Sequence, residues 1–206
     1  MTRLILVRHG ETEWNRVERF RGHADVPLNA TGLAQAGATA RRIHRAWPVS
    51  AVYSSPLSRA GETARAIAAL FKLGVTPVQD LIDIDYGEWQ GKSSGEVKSL
   101  WPDLLSAWYE KPHTARIPHG ESLDDVRARC RRAVRRVAAE HPGGCVVVVG
   151  HTVINRVILL DVLSLGNGRF WRIRQDNCAI NEIEADGDEF TLVSMNYTCH
   201  LQAEGR

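Results

Sequence analysis

Three features of the sequence predict an α/β protein with a three-layer α/β/α fold and a mostly parallel sheet with an antiparallel edge. The first is a run of branched apolar residues, Leu4-Ile5-Leu6-Val7, that stops abruptly at Arg8-His9-Gly10. The second is Cys145-Val146-Val147-Val148-Val149, which has no polar alternation, as expected of a strand covered on both faces in a parallel sheet. The third is the alternation of short strands with amphipathic helical stretches until two strands follow one another near the end. Those two are joined by Asp186-Gly187-Asp188, a good hairpin turn.

Taken in order, the first strand is followed by a short helix from Thr12 to Arg19 and a loop from Phe20 to Asn29 that contains Gly22 and Pro27. Thr31 offers a cap to a helix on which Leu33, Ala36, Ala40, Ile43 and Trp47 recur until Pro48. Ala51 to Ser54 is a second strand. Ser55 as N-cap and Pro56 at the first helical position then open a helix with the apolar face Leu57, Ala60, Ala64, Ile67 and Phe71. Val75 to Val78 is a third strand, and Leu81 to Gly91 reads as irregular. Helical patches around Trp101 and Trp108, each near a proline, read as a substrate-facing insertion at about 92–120. Glu121 to His141 is the longest helix, with Ser122 and Asp125 resembling a capping box and Leu123, Val126, Cys130, Ala133, Val134 and Val137 on one face. The strand from Cys145 ends at Gly150-His151-Thr152, a helix follows from Val153 to Leu163, and the last strands run from Ala179 to Ala185 and Glu189 to Met195. A length of 206 residues with no repeat or linker suits one domain, 1–206.

Composition narrows the classes of partner. Lys and Arg total 26 against 24 acids, and a net charge of +2 gives no electrostatic footing for nucleic acid. Arg127, Arg129, Arg131, Arg132, Arg135 and Arg136 crowd one segment and read as a solvated helix face balanced by Glu121, Asp124, Asp125 and Glu140. No apolar run approaches the ~20 residues of a membrane span, so no membrane partner is expected. Cys130, Cys145, Cys178 and Cys199 are widely spaced, with no C-x-x-C and no secretory leader ahead of Arg3, which predicts free thiols in a soluble, cytoplasmic protein.

Ligands of open α/β sheets bind beyond the carboxyl ends of the strands. There the chain delivers Arg8 and His9 after the first strand, Arg59 in the first turn of the helix after the second, and His151 after the fourth. Converging cationic donors suit a dianion, and the arginine fork matches phosphate oxygens, so the inferred ligand is a phosphate. A neutral imidazole could attack phosphorus while a second, protonated one stabilises the equatorial oxygens. Two arginines and a histidine supply charge neutralisation without a metal, and no H-E-x-x-H, Walker loop or G-x-G-x-x-G competes.

Arg8-His9-Gly10-Glu11-Thr12-Glu13-Trp14-Asn15, Tyr53-Ser54-Ser55-Pro56-Leu57-Ser58-Arg59-Ala60, Gly87-Glu88-Trp89-Gln90-Gly91, Gly120-Glu121-Ser122 and Gly150-His151-Thr152 follow in this order over nearly the whole chain. In this the chain resembles the histidine phosphatase superfamily, also called the phosphoglycerate mutase-like superfamily. The resemblance implies a phosphoglycerate mutase-like fold, no cofactor, and His9 as the nucleophile that becomes a phosphohistidine. It implies that Arg8, Arg59 and His151 hold the phosphoryl group, with Thr152 beside it, that Asn15 adds a neutral donor, and that Arg21 and Gly22 approach the substrate. Relatives place a glutamate proton donor a few residues before the Gly-x-Trp-x-Gly turn; the matching residue here is Asp83, one methylene shorter, with Asp85 and Glu88 as the other candidate donors.

Phe170-Trp171, Asp176-Asn177-Cys178 and Asn196-Tyr197-Thr198-Cys199-His200-Leu201 look like the end of bacterial metal-independent phosphoserine phosphatases of this superfamily. Those enzymes carry a histidine where this chain has Asp85, and an anion there should disfavour a substrate carboxylate, so phosphoserine is one candidate substrate. The expectation is a phosphoric monoester hydrolase of the histidine acid phosphatase type, metal-independent, acting on a small phosphorylated metabolite, with a homodimer compatible with the reading. Phosphoglycerate mutase-type transfer and a catalytically weakened phosphate-binding regulatory module are the alternatives. Trp101, Trp108, Tyr109 and the loop from Lys111 to His119 are assigned either to the core or to a substrate platform.

Overall fold

The computed structural model describes residues 1–202. The apolar runs form one six-stranded sheet from β1 (Thr2–Arg8), β2 (Ala51–Ser54), β3 (Val75–Pro77), β4 (Cys145–Gly150), β5 (Ile180–Asp186) and β6 (Glu189–Tyr197). The spatial order is β3-β2-β4-β1-β5-β6; the first four are mutually parallel, and β5 and β6 make an antiparallel edge. Among the described residues seven α-helices accompany them: α1 (Glu13–Arg16), α2 (Ala30–Ala46), α3 (Ser58–Phe71), α4 (Ser94–Leu100), α5 (Pro102–Glu110), α6 (Leu123–Glu140) and α7 (Thr152–Val162).

The unbroken apolar character of β1 and β4 is explained by two separate cores. Because successive side chains alternate across a strand, Leu4, Leu6, Val146 and Val148 face a core shared with α6, α7 and the 92–120 segment. Ile5, Val7, Val147 and Val149 face a second core built with α2 and α3. Trp108 is fully buried in the first core, where Trp101 is packed against the cluster. Among the described residues no helix is long and apolar enough to cross a membrane.

Several local signals resolve differently from the sequence reading. The cap of α2 is Asn29, whose side chain accepts from the Gly32 N–H at 2.8 Å, and not Thr31. Leu33, expected on the apolar face, is 56 % exposed. The first turn of α2 packs through Gly32 instead, so close to the Glu11 backbone that a Cβ would lie 2.1 Å from the Glu11 carbonyl oxygen. Helix α3 begins at Ser58, not at Pro56, and its end is capped from a distance: the Ser58 N–H donates to Asp25 Oδ1 at 2.7 Å. Ser55 Oγ accepts from the Leu57 N–H at 3.3 Å and so stabilises the turn before the helix. Helix α1 is a single turn set by the Thr12–Asn15 capping box.

The Ser122–Asp125 capping box of α6 forms as expected. Its arginines are matched mostly by other elements: Arg127 and Arg131 meet Asp161 of α7, Arg132 meets Asp80, and Arg135 meets Asp188. Arg136 with Glu140 is the expected in-helix pair. Arg129 is not on a solvated face at all; it is 8 % exposed and pairs with Glu121.

The register of the central strands positions the chemistry. Arg8 of β1 stands opposite Gly150 of the parallel β4, and the His9 N–H continues the ladder by donating to the Gly150 carbonyl at 3.0 Å. The next residue on each strand is a histidine.

Candidate active site

His9 and His151 leave these adjoining strand ends with ring centroids 5.1 Å apart, and both are fully buried. Their hydrogen bonds fix opposite tautomers. His9 Nδ1 lies 2.6 Å from the Gly10 carbonyl oxygen. A carbonyl only accepts, so Nδ1 carries the proton and Nε2 keeps its lone pair. At His151 the Arg59 Nε–H donates to Nδ1 at 3.3 Å, which leaves Nε2 as the protonated nitrogen. Both Nε2 atoms are buried without a hydrogen-bond partner. One is a nucleophilic lone pair and the other a donor. The turn that delivers His9 needs glycine next, because a Cβ on Gly10 would lie 2.5 Å from the Gly32 carbonyl oxygen.

Burial, the cationic Arg59 and then Arg8 and Arg21 push the His9 pKa well below the ordinary imidazole value of 6.5. Burial and Arg59 do the same to His151, reinforced by His9 itself. Within the chain itself both imidazoles are thus held toward the neutral form, and Arg59 at Nδ1 leaves Nε2–H as the donor of His151. Burial and the neighbouring Arg21 and Arg156 lower the pKa of Arg8 to about 9, which leaves it cationic at neutral pH.

Arg59 is fully buried and heavily committed. Besides His151 it donates to the carbonyls of Ala24 at 2.8 Å and Gly22 at 2.9 Å, and to Asp83 Oδ2 at 3.2 Å. A guanidinium has five N–H donors, so one Nη1–H is left over while the charge is shared with Asp83. Gly22 thus acts through its carbonyl on Arg59, at a backbone φ of +53° that glycine adopts without strain.

Asp83, despite its shorter side chain, reaches the site: it is 4 % exposed, and its Oδ2 lies 3.7 Å from His151 Nδ1. The segment that carries it is drawn inward by Arg129, whose guanidinium donates to the carbonyls of Asp80 at 2.8 Å, Ile82 at 2.6 Å and Asp83 at 3.0 Å. Glu121 grips the same guanidinium through both carboxylate oxygens at 2.8 Å and accepts from the Asp85 N–H at 3.0 Å. The other candidate donors are turned to structural tasks. Asp85 Oδ1 accepts from the Gly87 N–H at 2.8 Å, and Glu88 lies 3.5 Å from His119 at the surface.

A cleft of about 350 Å³ adjoins this cluster, lined among others by Arg8, Asn15, Arg21, Asp83 and Thr152. Arg8 is anchored by donating to the Gln175 carbonyl at 2.7 Å. The Asn15 Oδ1 is spent on the Thr12 N–H and hydroxyl, which leaves its amide NH2 for the cleft. Thr152 Oγ1 is buried and unpartnered at the start of α7. Arg21 donates weakly to the Trp14 and Arg19 carbonyls at 3.3 and 3.4 Å. Of the aromatic residues considered in the insertion, Trp108 and the 46 % exposed Tyr109 line the cleft. Sequence reasoning missed Tyr86, Gln175 and Arg156 as lining residues. For Arg156 a signal existed: it stands four residues after Thr152 on a helix, and hence on the same face.

The arrangement, a buried imidazole lone pair ringed by arginines with a carboxyl group at hand, defines a histidine-centred phosphoryl-transfer enzyme. The model of the histidine phosphatase superfamily (branch 1) matches residues 4–198, and the chain belongs to that family. It is 36 % identical over 201 residues to phosphoserine phosphatase 1 of Hydrogenobacter thermophilus, covering 98 % of this chain and 95 % of that protein. It is 33 % identical over 207 residues to a metal-independent phosphoserine phosphatase of Arabidopsis thaliana, covering 100 % and 85 % of the two. The solved structure of Bacillus stearothermophilus YhfR superposes with a TM-score of 0.93 at 28 % identity, over 98 % of this chain and 100 % of that one. The chain is accordingly a phosphoric monoester hydrolase of the histidine phosphatase type.

Proposed function

We propose that the chain hydrolyses a small phosphomonoester in two steps at His9, without a metal. In the first, the His9 Nε2 lone pair forms the N–P bond as the ester P–O bond breaks, and the leaving alkoxide takes a proton from Asp83. Asp83 enters the step as the carboxylic acid and leaves it as the carboxylate paired with Arg59. In the second, a water attacks phosphorus and gives a proton to the Asp83 carboxylate. The N–P bond then breaks, inorganic phosphate leaves, and His9 returns to its neutral Nδ1–H tautomer. Arg8, the remaining N–H of Arg59, His151 Nε2–H and the Asn15 amide stabilise the charge on the phosphoryl oxygens, with Thr152 and Arg21 at the cleft wall.

The observation that carries this reading is the buried, unpartnered His9 Nε2 with its proton held on the opposite nitrogen by Gly10. Phosphoserine is one candidate substrate, since relatives carry that activity in their names. Cys130, Cys145, Cys178 and Cys199 are free thiols, the state that a reducing, cytoplasmic setting maintains.

The decisive test uses p-nitrophenyl phosphate with EDTA present. Steady phosphate release that vanishes in His9→Ala is the expected result. Binding without turnover by the wild type would favour a regulatory phosphate-binding module, and interconversion of 2- and 3-phosphoglycerate without release would favour a mutase.

A further inference from the structure

One cation in the cleft, Arg156, has no part in the phosphoryl chemistry and, among the described residues, no carboxylate in hydrogen-bond or ion-pair contact, Asp176 acting on it only through its charge at longer range. Arg156 is half-buried on α7, one turn beyond Thr152, and lines the cleft with Arg8 and Asp83. Its guanidinium carbon lies over two rings, 5.0 Å from the Phe170 centroid and 4.8 Å from that of Trp171. Those rings meet edge to face, so the guanidinium is positioned by packing. Its Nε is buried without a hydrogen-bond partner. Of the buried arginines of the region, Arg59 pairs with Asp83 and Arg129 with Glu121, while Arg8, which the phosphoryl chemistry uses, is anchored on the Gln175 carbonyl. No such carboxylate pairs with Arg156 among the described residues. An unmade hydrogen bond at a buried donor is costly, and a half-buried guanidinium whose Nε is left unpartnered beside a ligand cleft points to a ligand that engages it.

Resting on the reading of this cleft as the phosphatase site, we propose that Arg156 is an anion subsite for the alcohol half of the substrate, and that this half carries a carboxylate. A planar carboxylate meets the edge of a ring-stacked guanidinium with two parallel hydrogen bonds. The neighbouring wall of Phe20, Tyr86 and Trp108 is aromatic, so Arg156 is the strongest polar handle at that end. The cations lining the cleft, Arg8, Arg19, Arg21 and Arg156, outnumber the anions Glu18 and Asp83. Asp85, which in the sequence argues against a substrate carboxylate, is held by the Gly87 N–H and lies 4.0 Å from His23 Nδ1, outside the cleft lining.

The test compares kcat/KM of the full-length protein on phosphoserine and 3-phosphoglycerate with that on p-nitrophenyl phosphate, in wild type, Arg156→Gln and Arg156→Lys. The ratio of carboxylate-bearing to neutral ester is expected to fall about 10- to 100-fold in Arg156→Gln, the range carried by a charge-assisted hydrogen bond. The loss falls mainly on KM, and Arg156→Lys restores part of it. A ratio that stays within about twofold, because both esters lose equally, would overturn the subsite and leave Arg156 a packing residue. A larger loss on a sugar bisphosphate than on the carboxylates would overturn the ligand class. Should the glutamine variant fail to fold, calorimetry on the wild type decides: a carboxyalkyl phosphonate should bind at least about tenfold more tightly than an alkyl phosphonate of equal length, and equal binding refutes the proposal. Absence of turnover of every ester by the wild type would refute the phosphatase reading alone, since the phosphonate comparison needs no catalysis.

Discussion

At His9 the Gly10 carbonyl decides which nitrogen is basic, and at His151 the Arg59 Nε–H does. The pair needs a third partner to protonate the leaving group, and Asp83 is the carboxyl group within 3.7 Å of His151. Asp83→Asn should therefore slow hydrolysis of alkyl phosphates by about 100-fold or more and of p-nitrophenyl phosphate much less, since a good leaving group needs no proton. Single-turnover rates on both ester types check this, and equal losses would move the role to another group. Arg8, His9, Arg59 and His151 were legible because each follows a strand or opens a helix at one sheet end. Asp83 was legible only by its position before the Gly-Glu-Trp-Gln-Gly turn. Arg156 carried only its spacing of four from Thr152, and a lone helical arginine reads as solvated until the rings of Phe170 and Trp171 are seen beneath it.

At the scale of elements, the segment from Asp80 to Asp85 has no regular ladder to hold it, and Arg129 of α6 supplies one from the side through three carbonyls. Glu121→Gln should loosen that strap by removing the anion opposite a buried guanidinium. A stability loss of about 3 kcal/mol in urea unfolding is expected. Activity on alkyl esters should fall more than on p-nitrophenyl phosphate, because Asp83 is displaced while His9 is not. Arg129→Lys should fail to rescue, as an ammonium cannot span a carboxylate and three carbonyls together. A loss equal on both esters would argue that the strap serves the fold alone. The capping box of α6 was readable because its two residues are neighbours. The cap of α3 was not, because Asp25 reaches Ser58 from 33 positions away, and the arginines of α6 misled for the same reason.

For the whole molecule, the two buried histidines tie stability to pH. Their folded pKa values lie well below 6.5, so between that value and their folded values the unfolded chain binds protons the native state refuses. Stability is then fully present above about pH 6.5 and declines as pH falls below it, by up to about 1.4 kcal/mol per pH unit for each histidine. Chemical denaturation between pH 7.5 and 5 should show the decline, and a flat profile would contradict it. The layered sheet itself was legible because the alternation of apolar runs with helical stretches dictates it, and two-sided burial leaves its mark in the unbroken valines of β4.

That same sheet sets the distance between the two working imidazoles. Neighbouring strands lie about 4.8 Å apart, the rings of His9 and His151 lie 5.1 Å apart, and each histidine directly follows the paired residues Arg8 and Gly150. The separation of the two imidazoles thus follows the spacing of the hydrogen-bond ladder, with the Gly10 carbonyl and the Arg59 guanidinium fixing how each ring is turned. Substitutions across the insertion and the cleft wall can retune which alcohol is accepted while the placement of the nucleophile beside its hydrogen-bond donor stays the same, so in this architecture substrate choice is free to drift while the chemistry is held constant.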